Sequence, residues 1–209
     1  MDSLHKLEEI FAKFPGIGPR QAKRFVYYLL NKPASSIDEF TRLIAEVRKS
    51  TAECPECHRF FVRDAGPSAK GMLPCPICSD SNRDGSTLMI VARDSDLETV
   101  EKSSAYHGLY FVLGGTVPVL DQDPSKRIRL KSLLERASRT DLNASLKEVI
   151  LSLNTTPDGE HTADIVRDAL SKVIGKNVKV TILGRGLSTG AELEYADSET
   201  IKNALKNRE

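Results

Sequence analysis

Val149-Ile150-Leu151-Ser152-Leu153-Asn154-Thr155-Thr156-Pro157-Asp158-Gly159-Glu160 is the stretch on which the fold turns. Its first five residues are a short apolar run, the pattern of a strand buried on both faces. Asn, Thr, Pro and Gly then break the run, and the spacing predicts a helix over 161–174. Other stretches repeat the unit. Leu88-Met89-Ile90-Val91 reads as a strand followed by a short helix over 95–104. Leu109-Tyr110-Phe111-Val112-Leu113 reads as a strand followed by a charged amphipathic helix over 125–139, and Val178 to Leu183 as a fourth strand. Short apolar strands alternating with helices specify a parallel sheet covered on both faces.

On the N-terminal side, residues 1–50 read as all-helical. Leu4, Leu7, Ile10, Phe11 and Phe14 recur at helical spacing, as do Ala22, Phe25, Val26, Leu29 and Leu30, and then Ile37, Phe40, Leu43, Ile44 and Val47. Pro15-Gly16-Ile17-Gly18-Pro19 separates the first two sets, and Pro19 suits the first turn of the following helix. This hairpin resembles the helix-hairpin-helix, a sequence-neutral DNA-binding unit. Gly16 and Gly18 let the backbone approach a phosphate, and the free N–H groups of the next helix face it. Arg20, Lys23 and Arg24 fall on that helix's first turns. From Ile10 to Lys32 there are five basic residues and no acidic one. The bland alternative is a helical turn on a solvated basic face.

Between helices and sheet, residues 51–86 lose periodicity and carry all four cysteines. Cys54-Pro55-Glu56-Cys57 and Cys75-Pro76-Ile77-Cys78 are separated by 17 residues, a spacing that matches a four-thiolate zinc site. Four thiolates leave no open coordination position, so the expected Zn²⁺ is structural, one per chain. Metal binding of about 10 kcal/mol or more would stand in for the core this loop lacks. The alternatives are two redox pairs or unrelated buried thiols. His58 adjoins a ligand but would be a fifth donor.

The chain has 209 residues, 40% hydrophobic and 28% charged, which excludes low-complexity disorder and collagen-like repeats. Thirty basic against 29 acidic residues give a net charge of +1, so any nucleic-acid surface has to be local. Apolar stretches such as Leu88–Ala92 are far too short to span a bilayer, and the charged N-terminus lacks a signal peptide's apolar run. A cytoplasmic location is expected, and the chain has no internal repeat.

The turn after Leu153 is similar to the D-x-D-x-E-G-E stretch of the Toprim fold, whose active members hold Mg²⁺ for phosphoryl transfer with two Asp and an earlier Glu. Here Asn154 and Thr156 stand in the Asp positions and Ala92 in the Glu position. A neutral amide, a hydroxyl and a methyl make no anionic cage. The resemblance implies the Toprim fold without its chemistry. Arg185-Gly186-Leu187-Ser188-Thr189-Gly190-Ala191-Glu192 invites a phosphate-loop reading, but Ala191 follows Gly190 where G-K-[ST] is required.

In this order, hairpin, four cysteines, Toprim-like sheet and the segment ending Glu192-Leu193-Glu194-Tyr195-Ala196-Asp197 resemble the bacterial RecR family of recombination mediators. Tyr110-Phe111-Val112-Leu113-Gly114-Gly115 matches as well. The fold expected is α+β and multi-domain: helix-hairpin-helix (1–50), four-Cys zinc finger (51–86), α/β Toprim-like parallel sheet (87–183) and a C-terminal Gly-rich loop and helix for oligomer contact (184–209). The resemblance implies a non-enzymatic, nucleoid-associated DNA clamp that forms a homotetrameric ring. With RecO and RecF, such a clamp helps load RecA on gapped DNA. The expected site residues are Cys54, Cys57, Cys75 and Cys78 for metal, and Gly16, Gly18, Arg20, Lys23 and Arg24 for DNA. Asp158 and Glu160 are expected at a partner contact. The competing reading is a Toprim-type phosphoryl transferase, a nuclease or primase-like enzyme using Asp94, Asp96, Asp158 and Glu160. Residues 58–74 form a longer spacer than the family pattern suggests.

Overall fold

The computed structural model describes residues 2–63, 73–121, 123, 126–139 and 146–208. Most of the spacer between the cysteine pairs, residues 64–72, and the first residue of the helix expected over 125–139 lie outside this set. The chain divides into two compact units, Met1–Ala52 with Val62–Asp64, and Glu53–Phe61 with Ala65–Glu209.

The first unit is built from α1 (Ser3–Ala12), α2 (Pro19–Leu30) and α3 (Ala34–Ser50). The Asp2 carboxylate caps α1 by accepting the His5 N–H at 2.9 Å. Gly16 turns the chain at φ +74°, a conformation that favours glycine. Pro19 opens α2 as expected, and Gly18 is an N-cap with no side-chain oxygen to offer. Among the described residues of this unit, only Ala22, Val26 and Ala52 are buried hydrophobics. Much of the apolar surface of three amphipathic helices therefore stays open.

Short strands β1 (Thr51–Glu53) and β2 (Phe60–Val62) pair, and a single helical turn, α4 (Pro76–Ser79), begins after Cys75 and carries Cys78. The second unit is then organised by four parallel strands in the order β4-β3-β5-β6: β3 (Asp84–Val91), β4 (Gly108–Val112), β5 (Glu148–Ser152) and β6 (Lys179–Ile182). The α-helices among the described residues here are α5 (Asp94–Ser103), α6 (Leu130–Ala137), α7 (Pro157–Leu170) and α8 (Ser198–Lys206).

Strand alternation divides the core between two faces. Leu88, Ile90, Phe111, Val149 and Leu151 face one way and pack with Leu133 and Ala137 of α6 and Ala163, Val166 and Leu170 of α7. Met89, Val91, Tyr110 and Val112 face the other way. There they meet Leu97 of α5, Ile77, and the sulfurs of Cys54, Cys57 and Cys75. The cysteine loop is thus the cover of half a sheet face. It shares a core with the sheet rather than lacking one.

β4 is an edge strand, and its outward-facing carbonyls are closed individually, together with one of its N–H groups. Arg83 donates to the Gly108 carbonyl at 3.0 Å, Arg136 to that of Tyr110 at 2.8 Å, and Arg129 to that of Val112 at 3.3 Å. The Val112 N–H donates to the Cys57 carbonyl at 2.8 Å. Arg83 is itself held by a two-pronged pair with Glu101.

Two helices start several residues away from their expected bounds, while α5 is offset by one residue. α7 starts at Pro157 because Thr156 Oγ1 accepts the Gly159 N–H at 3.2 Å and Pro occupies the first turn. α6 starts at Leu130, with Ile128 buried ahead of it in a bend. Strand β3 begins at Asp84, ahead of its apolar run, where Asp84 pairs with Gly108 before a register shift.

Candidate functional site

The metal centre is assembled by two turns of similar design. In the first, the Cys54 carbonyl accepts the His58 N–H at 3.0 Å, and the Cys54 N–H donates to the Arg59 carbonyl at 2.9 Å. In the second, Cys75 is the N-cap of α4, and its carbonyl accepts the Ser79 N–H at 3.0 Å. The Cys75 N–H donates to Cys54 Sγ at 3.3 Å, joining the two turns. The four sulfurs all lie within 4.8 Å of one another, with Cys57 and Cys75 3.6 Å apart. A tetrahedron with Zn–S bonds of about 2.3 Å places its sulfurs roughly 3.8 Å apart, so the donor set, count and spacing fit Zn²⁺.

Four sulfurs this close repel one another as thiolates, and a bound divalent ion offsets that repulsion. His58 takes no part: its ring lies 2.7 Å from Glu53 Oε1 and edge-on to Phe111.

Three residues around this centre carry no distinctive sequence signal. Arg136 of α6 reaches the Glu56 carbonyl between the first two cysteines. Arg139 binds both Glu56 carboxylate oxygens at 2.7 and 2.6 Å. Arg129 meets Glu53 at 3.2 Å. Glu56 could have been suspected from its place inside C-x-x-C. The arginines read as the solvated face of a charged helix.

In the hairpin, Arg20, Lys23 and Arg24 are all exposed along the start of α2. Arg24 makes only a 3.5 Å contact with Gln21, and Lys23 lies 5.9 Å from the Tyr27 ring. A Cβ built on Gly16 or Gly18 would meet no atom within 4 Å, so this turn is open to a close approach.

The carboxylates of the phosphoryl-transfer reading are spent separately. Asp94 accepts the Phe60 N–H at 2.8 Å, and Asp96 the Arg93 N–H at 2.9 Å. Asp158 accepts the Val119 N–H at 3.1 Å, and Glu160 pairs with Arg185 at 2.7 Å. Among the described residues they form no cluster with metal-ligand geometry; only the four cysteines do. Ala92 is buried, and Thr156 is committed to capping α7. No helix of the described residues is long and apolar enough to cross a membrane.

Comparison with known proteins accords with this geometry. A Toprim domain model matches residues 86–184, and a model described as RecR, C-terminal, matches residues 186–209. The Recombination protein RecR of Moorella thermoacetica is 38% identical over 207 residues, spanning 99% of this chain and 96% of its own length. That of Lactobacillus acidophilus is 36% identical over 202 residues, spanning 97% and 94%. That of Lactobacillus delbrueckii subsp. bulgaricus is 37% identical over 203 residues, again spanning 97% and 94%. With its Toprim sheet, its C-terminal segment and its four-cysteine centre all in place, the chain belongs to the RecR family, non-enzymatic mediators of recombination in DNA repair.

Proposed function

We propose that this chain acts as a sequence-neutral DNA clamp, with Gly16, Gly18, Arg20, Lys23 and Arg24 forming the phosphate contact. The observation that carries this reading is the open hairpin. Three exposed cations flank a helix start whose N-cap has no side-chain oxygen, beside two glycines with empty space around them. Backbone N–H groups and the positive end of the helix dipole then face a phosphate oxygen, with the side chains adding charge.

The clamp is a ring of copies, for which a homotetramer is the proposed size. Supporting this is the uncovered apolar face of the first unit, where Phe14, Phe40, Leu43, Ile44 and Val47 are exposed. A groove of about 740 Å³ lies there, lined by Phe11, Phe25, Tyr28 and Phe40 among others. Copies that bury these faces against one another multiply a weak phosphate contact through avidity. Family membership implies partners in DNA-repair complexes; RecO and RecF are the proposed ones, acting in RecA loading at gapped DNA. Asp158 and Glu160 at the start of α7 are the proposed protein contact. The proposed functional division is 1–50, 51–86, 87–183 and 184–209, with 184–209 as the second oligomer contact, and the proposed location is the bacterial cytoplasm at the nucleoid.

The test is DNA affinity against salt for Arg20→Ala/Arg24→Ala. Each lost duplex phosphate contact flattens the log–log slope by roughly 0.9. The expected result is weaker binding by a similar factor across sequences, with zinc content and assembly unchanged. Binding equal to wild type at the same salt removes the hairpin from the interface.

A further inference from the structure

Arg136 is one of two buried polar or charged side chains among the described residues, at 5% exposure. A buried guanidinium needs both hydrogen-bond acceptors and an opposite charge to offset its lost hydration. Its Nη1 is supplied with the Tyr110 and Glu56 carbonyls. These are acceptors but carry no full charge. Its Nε is buried and has no acceptor. The carboxylate it faces, Glu56, stands off at 4.0 Å from that Nε, beyond hydrogen-bond reach. That carboxylate is drawn instead to Arg139, which holds both of its oxygens. Two cations therefore bear on one anion, and the buried cation has the poorer share.

Glu56 sits between Cys54 and Cys57, so Arg136 is aimed at the turn that carries two of the four sulfurs. Four thiolates around a zinc dication hold a net double negative charge, in a cluster where three of the cysteines are fully buried. That centre has the same desolvation problem as Arg136, with the opposite sign. We propose that the Arg136 guanidinium is the buried countercharge of the metal-loaded four-cysteine centre, a positioning residue that acts on the metal through the Cys54–Cys57 turn. This rests on the reading that the four cysteines hold zinc. It explains why a full cation is kept on the buried side of α6 while its nearest carboxylate is spent on a neighbour.

The test compares zinc affinity of full-length protein, measured by competition with a chromophoric chelator. Arg136→Gln retains a donor for the Tyr110 carbonyl but removes the charge; Arg136→Lys retains the charge. The expected result is a 10–100-fold weaker zinc affinity for Arg136→Gln, with most of the loss recovered in Arg136→Lys. The sulfur-to-cobalt charge-transfer band of the Co²⁺-loaded protein should move in Arg136→Gln and not in Arg136→Lys. Glu56→Gln, which removes the nearby anion, should keep or tighten zinc binding. It also keeps the proposal testable if Arg136→Gln fails to fold. Equal affinity in wild type and Arg136→Gln overturns the proposal, as does equal loss in the Gln and Lys variants, which leaves Arg136 a hydrogen-bonding strut. A zinc loss in Glu56→Gln as large as in Arg136→Gln overturns it too. Wild-type protein that takes up no zinc overturns the metal reading itself.

Discussion

Replacing Gly159 by alanine sets two physical effects against each other. Gly159 is in the first turn of α7, at a helical position where it is less favourable than Ala by about 0.5–1 kcal/mol. Propensity alone therefore says Gly159→Ala stabilises. The surroundings say the opposite. A Cβ at this position would lie 2.0 Å from the Asn154 carbonyl oxygen, 2.9 Å from its carbon and 3.3 Å from its Cα. All three are backbone atoms, so no side chain can swing away. They lie just beyond β5, which is paired on both sides, to β3 and to β6. The first contact is more than about 1 Å short of ordinary van der Waals distance. Overpacking against such a wall costs about 1–3 kcal/mol, occasionally more. We expect a net loss of about 2 kcal/mol, a large share of a typical total of about 5–15 kcal/mol. With a urea m-value of about 2 kcal/mol/M, the unfolding midpoint falls by about 1 M. Hydrogen exchange should accelerate at the Val117 amide, which is bonded to Thr162 Oγ1 on the same helix at 2.8 Å. An unchanged or raised midpoint would refute the argument, since propensity would then have outweighed packing.

Two further outcomes are expected. Cys75→Ser should lower the metal content from one zinc per chain to near zero and speed proteolysis around residues 54–59; metal analysis and limited digestion check both. The Glu101 carboxyl is pushed up by burial, but the Arg83 guanidinium, helped by the Tyr110 hydroxyl and the charge of Arg59, holds it below its ordinary value. Its stabilising contribution is therefore full at neutral pH, and it fades as pH falls through the lowered folded-state value. The stability gap between wild type and Glu101→Gln, measured by urea unfolding, should be largest near pH 7 and shrink below about pH 4.

The parallel sheet could be read from sequence because its strands are buried on both faces, which leaves apolar runs such as Val149–Leu153. The polar start of β3 could not. Asp84 to Thr87 join the strand through pairing with Gly108 and Glu148, which no local pattern records. The beginning of α7 was present in Thr156-Pro157, but apolar periodicity, which starts later, masked it. The zinc donors were legible as a spacing. Their packing on Met89, Leu97 and Tyr110 was not, because it depends on which sheet face the loop covers. The four acidic residues near the strand ends drew attention as a possible metal set. Two of them are taken up by distant backbone, Asp94 by the Phe60 N–H and Asp158 by the Val119 N–H, bonds that exist only once the chain is folded. Arg136 reads in the sequence as one charge of a charged helix, since sequence does not say which charge of such a helix turns inward.

The closed edge of β4 has a consequence for the protein's solubility. An unpaired strand edge is a template for intermolecular pairing, and Leu109-Tyr110-Phe111-Val112-Leu113 has the uncharged, aromatic and branched composition of cross-β aggregates. Three arginines and the Cys57 carbonyl cover its outward carbonyls at Gly108, Tyr110 and Val112 and its Val112 N–H. Two of these four covers, Cys57 and Arg136, belong to the metal turn or bind it. A cell short of zinc would therefore face a self-templating strand rather than a locally frayed loop. Metal supply becomes a proteostasis variable for this chain, with insoluble assembly as its expected failure mode.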